Sequence, residues 1–93
     1  MRFEWDETKR RSNLHDHEID FAAVENEEIF AGETVTRVDD RFEYGESRFL
    51  TLGLLNGEVV AIIHTETDEV VRLISVRKAS QNEENIYFKE VKN

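Results

Sequence analysis

The chain has 93 residues, 39% of them hydrophobic, with no cysteine, no proline and a formal net charge of −9. That length reads as a single domain, 1–93, whose small core leaves its survival sensitive to a bound partner. The lack of cysteine excludes disulfides and thiolate chemistry and fits a reducing, cytoplasmic setting. The charged segment Met1 to Ser12 has no signal-peptide core, and the longest apolar run, Val59 to Ile63, is far too short to cross a bilayer, so no membrane role is expected.

A net negative charge argues against general affinity for nucleic acid. The charge is uneven, however. Ten acidic residues lie between Glu18 and Glu46, opposed only by Arg37 and Arg41. Most of the other basic residues sit elsewhere: Lys9, Arg10 and Arg11, then Arg48, then Arg72, Arg77 and Lys78. One face can therefore be cationic on an anionic molecule; a solvated acidic surface with scattered arginines is the competing reading.

In chain order, Arg2 to Trp5 alternates polar and apolar residues and reads as a short strand. Asp6 then caps a mostly polar helix through Leu14, with the acidic Glu7 in its first turn, where the helix dipole favours it, and with Leu14 and His17 as its inward-facing residues. Asp20 caps a second helix from about Phe21 to Ile29, ended near Gly32. After Gly32 the period changes to two, giving a β-branched strand over Glu33 to Val38 and a polar loop over Asp39 to Glu46. Arg48 to Leu55 and Glu58 to Thr65 follow as strands around Asn56-Gly57, a strong signal for a type I′ hairpin turn. Thr67 to Glu69 closes a second hairpin, Val70 to Arg77 is the last strand, and Ala79 or Ser80 opens a final helix with Ile86, Tyr87 and Val91 inward. The expected fold is α+β: a short N-terminal strand, two helices, a four-stranded antiparallel meander and a C-terminal helix, with the helices on one face.

The ordered segments resemble a known family. Phe3-Glu4-Trp5-Asp6-Glu7 with Lys9, followed by Asn13, His17 and Phe21, is similar to the start of BrnT toxins. Arg72-Leu73-Ile74-Ser75-Val76-Arg77-Lys78-Ala79 resembles that family's signature near its end, and Glu46 to Gly53, Thr65, Glu84 and Tyr87 fall in fitting places. Asp16-His17-Glu18 departs from the family's usual Lys-His-Gly, and His64 stands where an aromatic is common. The resemblance implies a RelE-like fold and a metal-independent endoribonuclease that acts without a cofactor. It also implies neutralisation by a BrnA-type antitoxin with a ribbon-helix-helix part, operator DNA being engaged only through that antitoxin.

RNA cleavage of this kind uses the substrate's own 2′-hydroxyl, so the protein must move protons and stabilise charge on phosphorus. Arginine suits the second task because its fork binds phosphate oxygens bidentately and stays charged. Histidine suits the first because its ordinary pKa lies near neutrality. Arg77, at a strand end, is the first candidate for phosphate stabilisation, its bland alternative being a pair with an acid on the last helix. Arg48 is the second candidate, against an ion pair with Glu43 or Glu46. His17 is the third, against a role at the helix C-terminus.

Lys9, Arg72 and Lys78 are candidate RNA-binding residues. A strict period of two sets Arg72 on the face opposite Arg77 and Ser75 unless a bulge intervenes. His15 and His17, two residues apart, do not share a helical face, so no metal site is expected. His64 alternates with Ile62 and reads as a satisfied core histidine. Two other functions compete with the toxin reading: a weakened or inactive partner-binding module of the same fold, and an acidic mimic of nucleic acid.

Overall fold

A computed structural model describes residues 1–39 and 47–91. The chain order is β1 (Arg2–Trp5), α1 (Glu7–His17), α2 (Phe21–Asn26), a 3-10 turn (Ile29–Ala31), β2 (Val35–Asp39), β3 (Arg48–Leu55), β4 (Glu58–Glu66), β5 (Val70–Lys78) and α3 (Gln81–Val91). The caps fall where short polar side chains can accept from free backbone N–H groups. Asp6 Oδ1 accepts from Thr8 N at 2.8 Å and Lys9 N at 3.2 Å, and Asp20 Oδ1 accepts from Ala22 N at 2.9 Å. Asn56 and Gly57 have φ of 52° and 83°, the pair of positive values a type I′ turn requires.

The second helix is shorter than its apolar pattern predicts. It ends at Asn26, Glu28 adopts a left-handed φ of 51°, and Ile29 is carried by the 3-10 turn instead. Glu25, Glu27 and Glu28 crowd negative charge at a helix C-terminus, where the dipole opposes it. The following strand starts two residues later than predicted and reaches Asp39; most of the predicted polar loop falls outside the described residues.

The sheet has five strands in the order β1-β5-β4-β3-β2. The four-stranded antiparallel meander is present as β2 to β5, but the sheet as a whole is mixed, because β1 adds in parallel to the outer edge of β5 with Phe3 beside Val71 and Trp5 beside Leu73. The helices do not share one face. Phe21, Val24 and Ile29 pack with Val60, Ile62, Val71, Leu73 and Val76 on one side, whereas Tyr87 of α3 packs with Val35, Leu52, Val59 and Ala61 on the other. The reason lies in β4: Val59 to Ile63 is apolar and buried at every position, and a strand apolar on both faces needs cover on both. Gly53 allows the 3-10 turn to approach β3 closely, since a Cβ there would sit 2.6 Å from Ile29 Cγ2.

The first helix turns inward through Asn13, not through Leu14 or His17. Leu14 is 43% exposed and His17 is also exposed. Asn13 Nδ2 donates to Ile19 O and to Val76 O, both at 2.9 Å, and its Oδ1 accepts from Val76 N at 3.0 Å. Beyond Trp5 no backbone among the described residues pairs with the outer edge of β5, and this side-chain amide takes the donor and acceptor that a strand would have used.

Candidate functional site

The β4–β5 ladder is interrupted once. Ile62 pairs with Val76 and Ile63 with Ser75, but His64 pairs with Leu73, so Ile74 is an extra residue on β5. A bulge of this kind reverses the alternation beyond it. Arg72, Ser75 and Arg77, opposite Thr65, Ile63 and Ala61, therefore lie on one sheet face, the α3 face. Strict alternation had separated Arg72 from Arg77; the bulge restores them to a common surface.

Arg48 belongs to the same surface. Phe49 pairs with His64 and Leu50 with Ile63, so Arg48 shares its face with Leu50, and extending that register sets it across from Thr65. Asp39 of β2 is its cross-strand partner on the other side. A row thus crosses the sheet, with Thr65 between the strands that carry Arg48 and Arg72. Strands about 4.8 Å apart put those two arginines on either side of a single hydroxyl. Arg72 Nη1 is 3.2 Å from Glu4 Oε1 in an exposed pair.

Arg77 sits at the other end of this face, at the start of α3. Its Nη1 and Nη2 donate to Glu83 Oε1 at 2.7 Å and Oε2 at 3.0 Å, and Nη1 also reaches Lys78 O at 3.3 Å. The pairing with an acid on the last helix, posed as the alternative for Arg77, is present. Glu83 has a second task. Its Oε1 accepts from Ser80 N at 2.8 Å, while Glu83 N donates to Ser80 Oγ at 3.2 Å, a capping box at the head of α3. Chiefly through the Arg77 hydrogen bonds, and against the effect of burial, the Glu83 carboxyl is held down to about 2. The spacing Ser80-x-x-Glu83 was the sequence signal for this residue.

Lys9 and His17 meet in a separate cleft of ≈280 Å³ between α1 and β5, together with Asp16, Ile74 and Ser75. The bulged stretch of β5 forms its wall, and Ser75 belongs both to this cleft and to the arginine face. A larger cleft of ≈630 Å³, lined by Met1, Arg2 and the β4–β5 turn, holds no candidate residue. Lys78 is placed apart, on the opposite face beside Val60, with Nζ 3.6 Å from Glu58 Oε2.

His64 is fully buried on the α1–α2 face, between the rings of Phe30 and Phe49. Its Nε2 is 2.7 Å from Thr51 Oγ1, which is 2.8 Å from Thr36 Oγ1. Its Nδ1 makes no hydrogen bond among the described residues and lies 3.5 Å from Glu66 Oε1. Burial disfavours the charged ring and pushes its pKa down to about 4, so it is neutral at physiological pH. Among the described residues no group of three or more His, Cys, Asp or Glu is arranged to hold a metal ion, and no helix is long and apolar enough to cross a membrane.

Residues 5–83 match the family model described as the ribonuclease toxin, BrnT, of type II toxin–antitoxin systems. The chain belongs to the BrnT family. The crystal structure of the Brucella abortus ribonuclease toxin BrnT superposes with a TM-score of 0.63 and 32% identity, over 87% of this chain and 99% of that one. No protein with a curated description matches the chain by sequence. Family membership carries a general function, a ribonuclease toxin that works in a pair with an antitoxin. The matched span ends at Glu83, so it takes in the bulged strand, both of its arginines and the carboxylate that grips Arg77.

Proposed function

We propose that this BrnT-family chain is a metal-independent endoribonuclease of RelE-like architecture that acts in the cytoplasm on RNA and is neutralised by a BrnA-type ribbon-helix-helix antitoxin. The observation that carries this reading is the β5 bulge, which gathers Arg72 and Arg77 on the α3 face with Arg48 across the sheet. With the bulge counted, Arg72 and Arg77 are about four strand steps apart, roughly 13 Å. That span is about twice the distance between adjacent phosphates, so the two arginines address phosphates about two nucleotides apart on one RNA strand. Arg77 stabilises the charge that builds on the scissile phosphate when the 2′-hydroxyl attacks and the 5′-oxygen leaves. Arg48 and Arg72 hold the neighbouring backbone.

His17 is the candidate for proton transfer, presented at the exposed end of α1 beside the Ser75 side of the arginine face, with Lys9 as a further phosphate contact. Lys78 points away from this path, and its contribution would be to RNA that wraps the end of β5.

The test is cleavage of a labelled single-stranded RNA by the purified chain, alongside growth after expression without antitoxin. Arg77→Ala should lower kcat by about 10²–10³-fold, the usual cost of removing one transition-state donor. His17→Ala and Arg48→Ala should lower it less. Intact RNA and undisturbed growth with the wild-type chain would overturn the reading. A second reading, a partner-binding module with weakened chemistry, is favoured by one observation: Glu83 already occupies two donors of the Arg77 fork. It predicts antitoxin binding that survives Arg77→Ala and no cleavage by the wild type.

A further inference from the structure

Glu83 is bound twice, and the two contacts have different consequences for Arg77. A guanidinium has five N–H donors. Glu83 takes one from Nη1 and one from Nη2 in an end-on fork, and Lys78 O takes a second from Nη1. That leaves Nε–H and the remaining Nη2 hydrogen. These two lie on the same edge of the planar group, the geometry that grips two oxygens of a phosphate. No described residue accepts from Nε, and the Arg77 side chain keeps 27% of its surface open while that of Glu83 keeps 18%.

The same carboxylate is tied to the first turn of α3 by Ser80 N, so it cannot swing away with the arginine. A carboxylate held so far below neutrality stays ionised and is a weak base, which argues against its removing the 2′-hydroxyl proton.

We propose that Glu83 is a positioning residue: it locks the Arg77 guanidinium by its end-on donors and so presents the side-on edge, Nε and Nη2, as a ready-made seat for a phosphodiester. This rests on Arg77 contacting phosphate in the reaction. The lock removes rotamer freedom that a free strand-end arginine would lose only as it closes on the charge developing at phosphorus in the transition state, so its effect belongs in kcat and not in substrate capture.

The test uses the purified chain and a labelled single-stranded RNA, with kcat and KM measured for Glu83→Gln, Glu83→Ala and Ser80→Ala. Glu83→Gln keeps a neutral acceptor and should lower kcat about tenfold; Glu83→Ala should lower it about 100-fold; KM should stay within about threefold for both. Ser80→Ala removes the hydroxyl half of the capping box while sparing the Arg77 contact, and should keep kcat within about twofold.

A second readout does not depend on turnover. The Arg77 Nε–Hε NMR signal should be sharp and shift on titration with inorganic phosphate in the wild type, and should be broadened in Glu83→Ala. Unchanged kcat in both Glu83 variants overturns the proposal, as does a Ser80→Ala loss equal to that of Glu83→Gln, which would make the carboxylate a cap alone. If Arg77→Ala retains full activity, or the wild type cleaves nothing, the reading of Arg77 fails. The NMR signal then still decides the lock, since an Nε–Hε signal indifferent to Glu83→Ala overturns it.

Discussion

The two faces of the sheet are built on different terms. Beneath α1, α2 and the 3-10 turn, β1, β4 and β5 present Phe3, Trp5, Val60, Ile62, Val71, Leu73 and Val76 to the fully buried Phe21 and Val24. The α3 face has a smaller apolar cluster around Tyr87, and beyond it the strands carry Arg48, Thr65, Arg72, Ser75 and Arg77. Burial on the first face is what a chain of this size relies on for stability. The second face gives up apolar area to keep guanidinium groups near solvent. A chain of net charge −9 can thus still gather arginines on one surface, because the β5 bulge returns Arg72 to the face of Arg77 and Arg48, each beside a carboxylate, Glu4, Glu83 and Asp39 respectively.

The sharpest way to break that contrast is at the centre of the closed face. Phe21 is fully buried and edge-on to Trp5 at 6.3 Å. Phe21→Ala should cost about 3–5 kcal/mol in urea unfolding, the range for emptying a large aromatic site. A loss below about 1 kcal/mol would mean that this face does not carry the fold.

His64 comes next. It is buried neutral, with its pKa pushed from 6.5 down to about 4, so the unfolded chain binds the extra proton first as pH falls. The stability tied to the neutral ring is complete above about pH 6.5 and should drain away between there and about pH 4, by roughly 3 kcal/mol. Glu83 adds a separate decline at lower pH: its carboxyl is held down from 4.5 to about 2, so that contribution is full above about 4.5 and lost towards 2. Unfolding curves across the upper window should flatten in His64→Phe. An unchanged slope would place the titration elsewhere.

On the open face the effects should appear in activity instead. Arg72→Ala should raise KM for RNA about tenfold, as for a lost charged phosphate contact, with the urea midpoint unmoved because its Glu4 pair is exposed. The smallest change is expected at Lys78, whose Glu58 pair is exposed and lies on the opposite face. Lys78→Ala should leave both the midpoint and cleavage within experimental scatter. A clear loss of cleavage would extend the RNA path around the end of β5.

Much of the fold was legible because local chemistry is strong at its boundaries. Asp6 and Asp20 announce helix starts, and Asn56-Gly57 announces its turn. The inward set on α3 could be read from spacing. Cover on both faces was not the expectation, which set the helices on one side, although the unbroken run Val59 to Ile63 carried the signal that an alternating, half-buried strand would not show. The parallel seat of β1 was not legible, since four alternating residues fit any sheet edge.

The site was harder to read. A bulge is one extra residue in one strand, and nothing about Ile74 distinguishes it from a paired isoleucine, so parity alone sent Arg72 to the wrong side. Asn13 was visible as a motif residue, but a polar side chain on a polar helix gives no sign that it will be the buried one. Glu83 was hidden among the acidic residues of α3 although the capping-box spacing from Ser80 was available.

The parallel pairing of β1 has a consequence for the order of events in synthesis. Arg2 is registered on Val70 and Trp5 on Leu73, and Asn13 waits for Val76. The first strand and helix can meet α2 early, through Trp5 on Phe21 and Asn13 on Ile19 O, but they have no place in the sheet until β5 has been made, and closing so long a loop is entropically slow. A nascent chain stopped anywhere before Val70 holds an unseated N-terminus and lacks the strand that carries Arg72 and Arg77. The strand β5 completes the sheet and brings the row of arginines together in the same step, so a fragment that stops before it has neither the finished sheet nor the arginine face.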